Sequence, residues 1–197
     1  MNEDDILSKK MELIEIAQRC FERGLQTGSG GNLSVRLEQR DAVVIKPSGV
    51  GYAECSIDNL MVVNFDKKIL SGDLTPSKDM PFHIAIYKVR PDVQAIVHVH
   101  SPWSTAWSCK NEPLPLLALH ARAKLGDIPT VPTAPDGSTQ TDMEMGEVFK
   151  NPKCCAALMA RHGAVGVGNN LIAAQHVVEL IEETAQIATI GSMIGAK

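Results

Sequence analysis

Apolar residues return at helical spacing near the start of the chain, where Ile6, Leu13, Ile14, Ala17, Cys20 and Phe21 fall on one stripe. That spacing predicts an amphipathic helix with Asp4 or Asp5 as its cap and Gly24 as its stop. A glycine-rich stretch, Thr27-Gly28-Ser29-Gly30-Gly31-Asn32, comes next. The pattern then changes to short runs suited to strands at 33–36, 42–46 and 60–63, with Pro47-Ser48-Gly49 as an intervening turn. A second helix is predicted from Asp79, which suits an N-cap, with Pro81 in the first turn and Pro91-Asp92 as the break. The β-branched run 95–100 is closed by Pro102, and further strands are expected at 128–131, 156–159 and 164–167. The last helix begins near Asn170 and carries Leu171, Ala174, Val178, Ile181, Ala185 and Ala188 on one stripe. Strands interleaved with helices predict an α/β fold: one domain over residues 1–197 with a central β-sheet flanked by helices.

Composition narrows the function classes. A chain of 197 residues with 44% apolar and 21% charged residues has the profile of a globular domain. Aromatic residues make up only 4%, so the core must rest on aliphatic, alanine and methionine side chains. A net charge of −4 argues against binding nucleic acid through phosphate contacts. No apolar run reaches the roughly 18 residues that a membrane helix needs. The acidic start Asn2-Glu3-Asp4-Asp5 is the opposite of a secretory leader. The five cysteines form no CxxC and are odd in number, which suits reduced thiols in the cytoplasm.

The strongest candidate for chemistry is His98-Val99-His100 at a strand end. Side chains two apart on a strand project from the same face, so both imidazoles can reach one ion; the other reading is a hydrogen-bonded pair. A third ligand could come from His162, which precedes Gly163, or from His83, His120 or His176. His83 lies one turn after Asp79, and His176 sits inside the last helix, where a packed or solvated residue is the simpler reading. The 28–32 loop is not GxGxxG, lacks the Lys-Ser/Thr of a P-loop and precedes a strand, so it does not suit a nucleotide. Its backbone N–H groups could still cradle an anion, as could Pro47-Ser48-Gly49 and Pro76-Ser77-Lys78 if the three turns converge.

Taken in order, Gly30-Gly31-Asn32-Leu33-Ser34-Val35-Arg36, Lys46-Pro47-Ser48-Gly49-Val50, Pro76-Ser77-Lys78-Asp79, His98-Val99-His100 and Arg161-His162-Gly163 resemble the class II aldolase/adducin family across essentially the whole chain. The resemblance implies a three-layer fold and a divalent-metal enzyme acting on a phosphorylated sugar or sugar acid. It places the metal ligands on His98, His100 and His162 and the catalytic acid/base on Asp79. The phosphate pocket falls on Gly31, Asn32, Ser48, Gly49, Ser77 and Lys78. Zn²⁺ is the expected ion, one per subunit, with Mn²⁺ or Co²⁺ as alternatives, and the expected assembly is a homotetramer in the cytoplasm. The leading expectation is an aldolase that cleaves a ketose 1-phosphate to dihydroxyacetone phosphate and an aldehyde through a metal-stabilised enediolate. Decarboxylation of a 3-oxo-tetronate 4-phosphate comes second and dehydration of methylthioribulose 1-phosphate third; a non-catalytic adducin-like interaction domain is the alternative outside enzymes. Two departures from the epimerases are Arg122, where they carry an acid, and the absence of a tyrosine after the last helix, the tyrosines here being Tyr52 and Tyr87.

Overall fold

The computed structural model describes residues 3–37, 41–133 and 139–196. The first helix, α1 (Glu3–Glu22), buries Leu13, Ile16, Ala17 and Cys20 and leaves Phe21 exposed. Asp4 and Asp5 lie inside its first turn, not at a cap, and there complement the positive end of the helix dipole. It ends as predicted at Gly24, where Leu25 N–H donates to Cys20 O (3.0 Å) and Gly24 N–H to Phe21 O (2.9 Å), closing the last carbonyls.

The strands follow the apolar runs: β1 (Asn32–Arg36), β2 (Ala42–Ile45), β3 (Met61–Asn64), β5 (Ala95–Val99), β7 (Ala156–Met159) and β8 (Gly163–Gly168). Two short ones complete the sheet, β4 (Ile69–Ser71) and β6 (Thr130–Val131). All eight make one sheet in the order β4-β3-β2-β1-β5-β8-β7-β6, antiparallel except for the β6–β7 pair. Strand alternation divides the core in two. Leu33, Val44, Val97 and Leu158 face α1 and the last helix, α6 (Leu171–Met193), joined there by Trp107 of α3 (Pro102–Ser108) and Leu125 of α4 (Leu119–Leu125). Val43, Ile96, Ala157 and Val165 face the other layer, α2 (Met80–Val89) and α5 (Thr139–Phe149). The arrangement is the expected three-layer α/β domain. Among the described residues no helix is long and apolar enough to cross a membrane. All five cysteines are free, with Cys20, Cys55 and Cys154 buried.

The last helix starts where predicted: the Asn170 side chain accepts from Ala173 N–H at 2.7 Å. Its whole predicted stripe, from Leu171 to Ala188, is buried. The topology matters for function because β1, β5 and β8 are neighbours. Their pairing sets Asn32 opposite His98 and brings the turn before Gly163 beside the end of β5.

Candidate metal and anion site

His98 is the next-to-last residue of β5 and fully buried; His100 follows the strand and is half-buried. Their side chains share a face, and their Nε2 atoms lie 3.0 Å apart. His162 reaches the pair from the tight turn between β7 and β8, where Arg161 adopts a positive φ of 59°. Gly163 is needed immediately after it, because a Cβ there would run into the Val99 carbonyl and lie 3.0 Å from the His100 ring. The three rings stand 4.7–4.8 Å apart, and one nitrogen of each lies within 4.8 Å of the others. The remaining histidines stay outside this group. His120 pairs with Glu183 on the surface at 3.2 Å, His176 is exposed on α6, and His83 is buried against Ser34.

The donor set fits a divalent ion. His98 Nδ1 lies 3.0 Å from the Ala164 carbonyl, which can only accept, so this nitrogen carries the proton and Nε2 presents its lone pair. Burial holds the His98 imidazole well below its ordinary pKa. Burial, with repulsion from His162, also lowers His100 to about 4. Neutral imidazoles are the form that binds a metal. Two ligand nitrogens about 2.0–2.1 Å from a tetrahedral ion lie about 3.3 Å apart, close to the observed pair.

Asp79 occupies the position before α2 that suits a cap, yet its side chain makes no capping bond. Its carboxylate turns into the site, accepting from Asn32 Nδ2 at 2.7 Å and standing 3.6 Å from His98 Nε2. Burial alone would raise its pKa, but the His98 and His162 rings and the Asn32 amide outweigh that and lower it. Asp79 is therefore a carboxylate at neutral pH. The Ser77 hydroxyl accepts from the Asp79 backbone N–H at 3.2 Å and fixes the turn that aims it.

The three anion-binding turns converge as the motifs imply. Ser48 Oγ donates to Pro76 O at 3.1 Å, and Ser48 N–H donates to Thr75 O at 3.0 Å, which joins the second turn to the third. Gly31 and Asn32 are tied to the same region through the Asn32–Asp79 bond. Gly49 lies exposed beside Ser48 with φ of 77°, Ser77 is buried and Lys78 is exposed. Gly30 and Gly31 have no room for a side chain: a Cβ on Gly30 would lie 2.8 Å from His100 Nδ1, and one on Gly31 2.7 Å from the His98 carbonyl. The glycine loop is a close wall of the histidine site.

Three supporting residues escaped the motif reading. Buried Gln26 accepts from His100 N–H at 2.8 Å and donates to Thr27 O, holding the glycine loop to the end of β5. Buried Lys46 donates to Ser29 O (3.3 Å), to Pro47 O (3.1 Å) and to Val50 O, joining the first two turns; burial lowers its pKa. The Tyr52 hydroxyl donates to the His98 carbonyl at 2.8 Å. For Lys46 the sequence did hold a signal, a lysine placed directly after a wholly apolar strand run.

Known proteins agree with this architecture. A 3-oxo-tetronate 4-phosphate decarboxylase from Haemophilus influenzae is 34% identical over 186 residues, covering 92% of this chain and 87% of that protein. A 5-deoxy-D-ribulose 1-phosphate aldolase from Bacillus thuringiensis is 31% identical, covering 91% and 83%. A solved L-fuculose 1-phosphate aldolase superposes with a TM-score of 0.89 at 28% identity, covering 95% of this chain and 88% of that one. The Class II Aldolase and Adducin N-terminal domain matches residues 11–189, and the chain belongs to that family.

Proposed function

We propose that the protein is a metal-dependent lyase that decarboxylates a 3-oxo-tetronate 4-phosphate. The observation that carries this is the 34% identity to a decarboxylase of that name over nearly the whole of both chains. It moves the second expectation of the sequence ahead of the ketose 1-phosphate aldolase, whose named relative is 31% identical. The reaction is a 3-oxo acid losing its carboxylate. The C1–C2 electron pair passes into an enediolate across C2 and C3 as CO₂ leaves, and C2 then takes a proton to give dihydroxyacetone phosphate. An aldolase would release the same enediolate by expelling an aldehyde, which is why one site suits both reactions.

A divalent ion held by His98, His100 and His162, with Zn²⁺ the natural choice for three imidazoles, would supply Lewis-acid stabilisation of the developing oxyanion. The chain's own residues do the rest. The turns bearing Gly31, Asn32, Ser48, Gly49 and Ser77 offer N–H and O–H donors to the phosphate, with Lys78 at their rim as a counter-charge. Held there, the substrate presents its other end to the histidines. Ser77 already accepts from Asp79 N–H, which leaves its own proton to donate. Asp79, with its side chain 24% exposed, is open to water and can take a proton from solvent and pass it to C2, a role worth roughly 10²–10⁴ in rate. With this reading go a cytoplasmic location, in keeping with five free thiols, and a homotetrameric assembly to be measured by light scattering.

The test is to load the protein with zinc and supply a 3-oxo-tetronate 4-phosphate and, separately, a panel of ketose 1-phosphates. CO₂ release from the first is the expected result. Dihydroxyacetone phosphate and aldehyde from a ketose 1-phosphate, without CO₂ from the first, would return the assignment to an aldolase. In the same preparation His100→Ala should lose most of its bound metal by elemental analysis; undiminished metal would remove His100 from the ligand set.

A further inference from the structure

β1 lies in the middle of the sheet, yet it contributes nothing apolar to the core beneath α2 and α5. Leu33 and Val35 face the other layer, and every neighbouring strand from β2 to β8 supplies the α2 side with valine, isoleucine, methionine or alanine. What β1 presents to α2 is Asn32, Ser34 and Arg36, of which Asn32 is 2% exposed and Ser34 fully buried. Opposite them stand Asp79, His83 and Tyr87, four residues apart. The two spacings match: two residues of strand advance about 6.7 Å, and four residues of helix advance about 6.0 Å.

The rows bond rung by rung. Asn32 Nδ2 donates to Asp79 Oδ2 at 2.7 Å. Ser34 Oγ and His83 Nδ1 lie 2.7 Å apart. The Tyr87 hydroxyl lies 2.9 Å from Ser34 Oγ and donates to the Ser34 carbonyl at 3.1 Å. Arg36 then donates to the Tyr87 carbonyl at 2.8 Å and stacks over the Tyr87 ring, 5.0 Å from its centre. His83 Nε2 and Asn32 Oδ1 are buried with no partner in the protein, so this row is kept despite a cost in unsatisfied polar atoms. An apolar pair would fill the space without that cost, but apolar contacts are non-directional and would let the helix slide along the strand.

We propose that His83 is a positioning residue: through its bond to Ser34 it fixes the register of α2 against β1 and so the place of the Asp79 carboxylate beside the histidine trio. The role rests on the reading of Asp79 as the acid/base of the reaction above, whereas the register itself does not. His83→Leu removes the bond at similar bulk, and His83→Asn keeps an amide where Nδ1 stood.

In the zinc-loaded protein acting on a 3-oxo-tetronate 4-phosphate, His83→Leu should lower kcat by roughly 10–100-fold, the range seen when an outer-shell partner is lost. KM and bound zinc should stay near wild type, and His83→Asn should recover most of the loss. Crystal structures of both variants provide a readout independent of turnover: the Asp79–Asn32 contact should be broken or displaced in His83→Leu and restored in His83→Asn. An unmoved Asp79 in His83→Leu, a kcat equal to wild type, a loss not restored by asparagine, or a loss that tracks departing zinc would each overturn the proposal. If the wild-type protein releases no CO₂, the functional reading fails, and the Asp79 position in the two crystals decides the register by itself. Should His83→Leu not fold, Ser34→Ala cuts the same bond from the strand side with little change in volume and answers to the same measurements.

Discussion

On one face of β1, Leu33 and Val35 are sunk in an apolar core with α1 and α6, whereas on the other Asn32, Ser34 and Arg36 hold a row of hydrogen bonds to α2. Both faces are well buried, so the difference is not one of exposure. The apolar face contributes free energy in proportion to area and tolerates small shifts. The polar face contributes little net stability and is exacting in distance and angle, because a buried donor or acceptor that misses its partner carries the full cost of desolvation. The first face keeps the domain folded. The second sets where Asp79 lies.

The largest separation of these roles is expected at Asp79. Asp79→Asn retains an oxygen for the Asn32 amide but cannot shuttle a proton. Its kcat should fall by roughly 10²–10⁴, with bound metal and the urea midpoint near wild type. A variant that turns over normally would take Asp79 out of the chemistry, and one that loses stability instead would erase the contrast between the faces.

Leu33→Ala should do the reverse. Leu33 is fully buried, and its truncation should cost about 2–5 kcal/mol in urea unfolding while kcat per folded molecule is kept. A smaller loss of stability than that of Ser34→Ala would show that the polar row, not the apolar core, carries the fold.

The smallest of the three effects is a dependence on pH that belongs to the polar face. Burial holds His83 at about 3 and His100 at about 4 in the folded protein, against about 6.5 in an unfolded chain. Below pH 6.5 the unfolded chain therefore binds more protons than the folded one, and stability should fall as the pH drops. For fully buried His83 the slope approaches about 1.4 kcal/mol per pH unit until its folded pKa is reached. Above pH 7 these groups contribute no slope. Urea midpoints of metal-free protein at pH 5 and pH 7.5 measure the effect. Equal midpoints would mean that the imidazoles are not held neutral.

Much of this was legible in the residues themselves. The stripes on α1 and α6, the Asn170 cap and the main strands follow from apolar periodicity, which is local and repeats over many residues. The helices α3 and α4, each seven residues long, were not legible. The start of α3 is capped by Glu182, 78 and 79 residues away, whose carboxylate accepts from Ser104 N–H at 2.8 Å and Trp103 N–H at 2.9 Å. The strand β4 exposes Ile69 and Leu70 and is held by pairing at the sheet edge, which no local pattern reports.

The site divides in the same way. Spacing alone put His98 and His100 on one face, because alternation along a strand is a property of the backbone. Spacing also placed Asp79 ahead of a helix, but a cap residue's side chain can bond its own helix or turn away, and only the neighbouring Asn32 decided which. His162 was one of four possible third ligands until β7 and β8 folded back beside β5 and left His120 and His176 on the surface. The sequence by itself thus determined the elements, the histidine pair and the turns that could bind an anion, all set by interactions within a few residues. The tertiary structure alone decided the third histidine, the aim of Asp79 and the polar register of α2 on β1, because those depend on contacts between residues tens of positions apart in the chain.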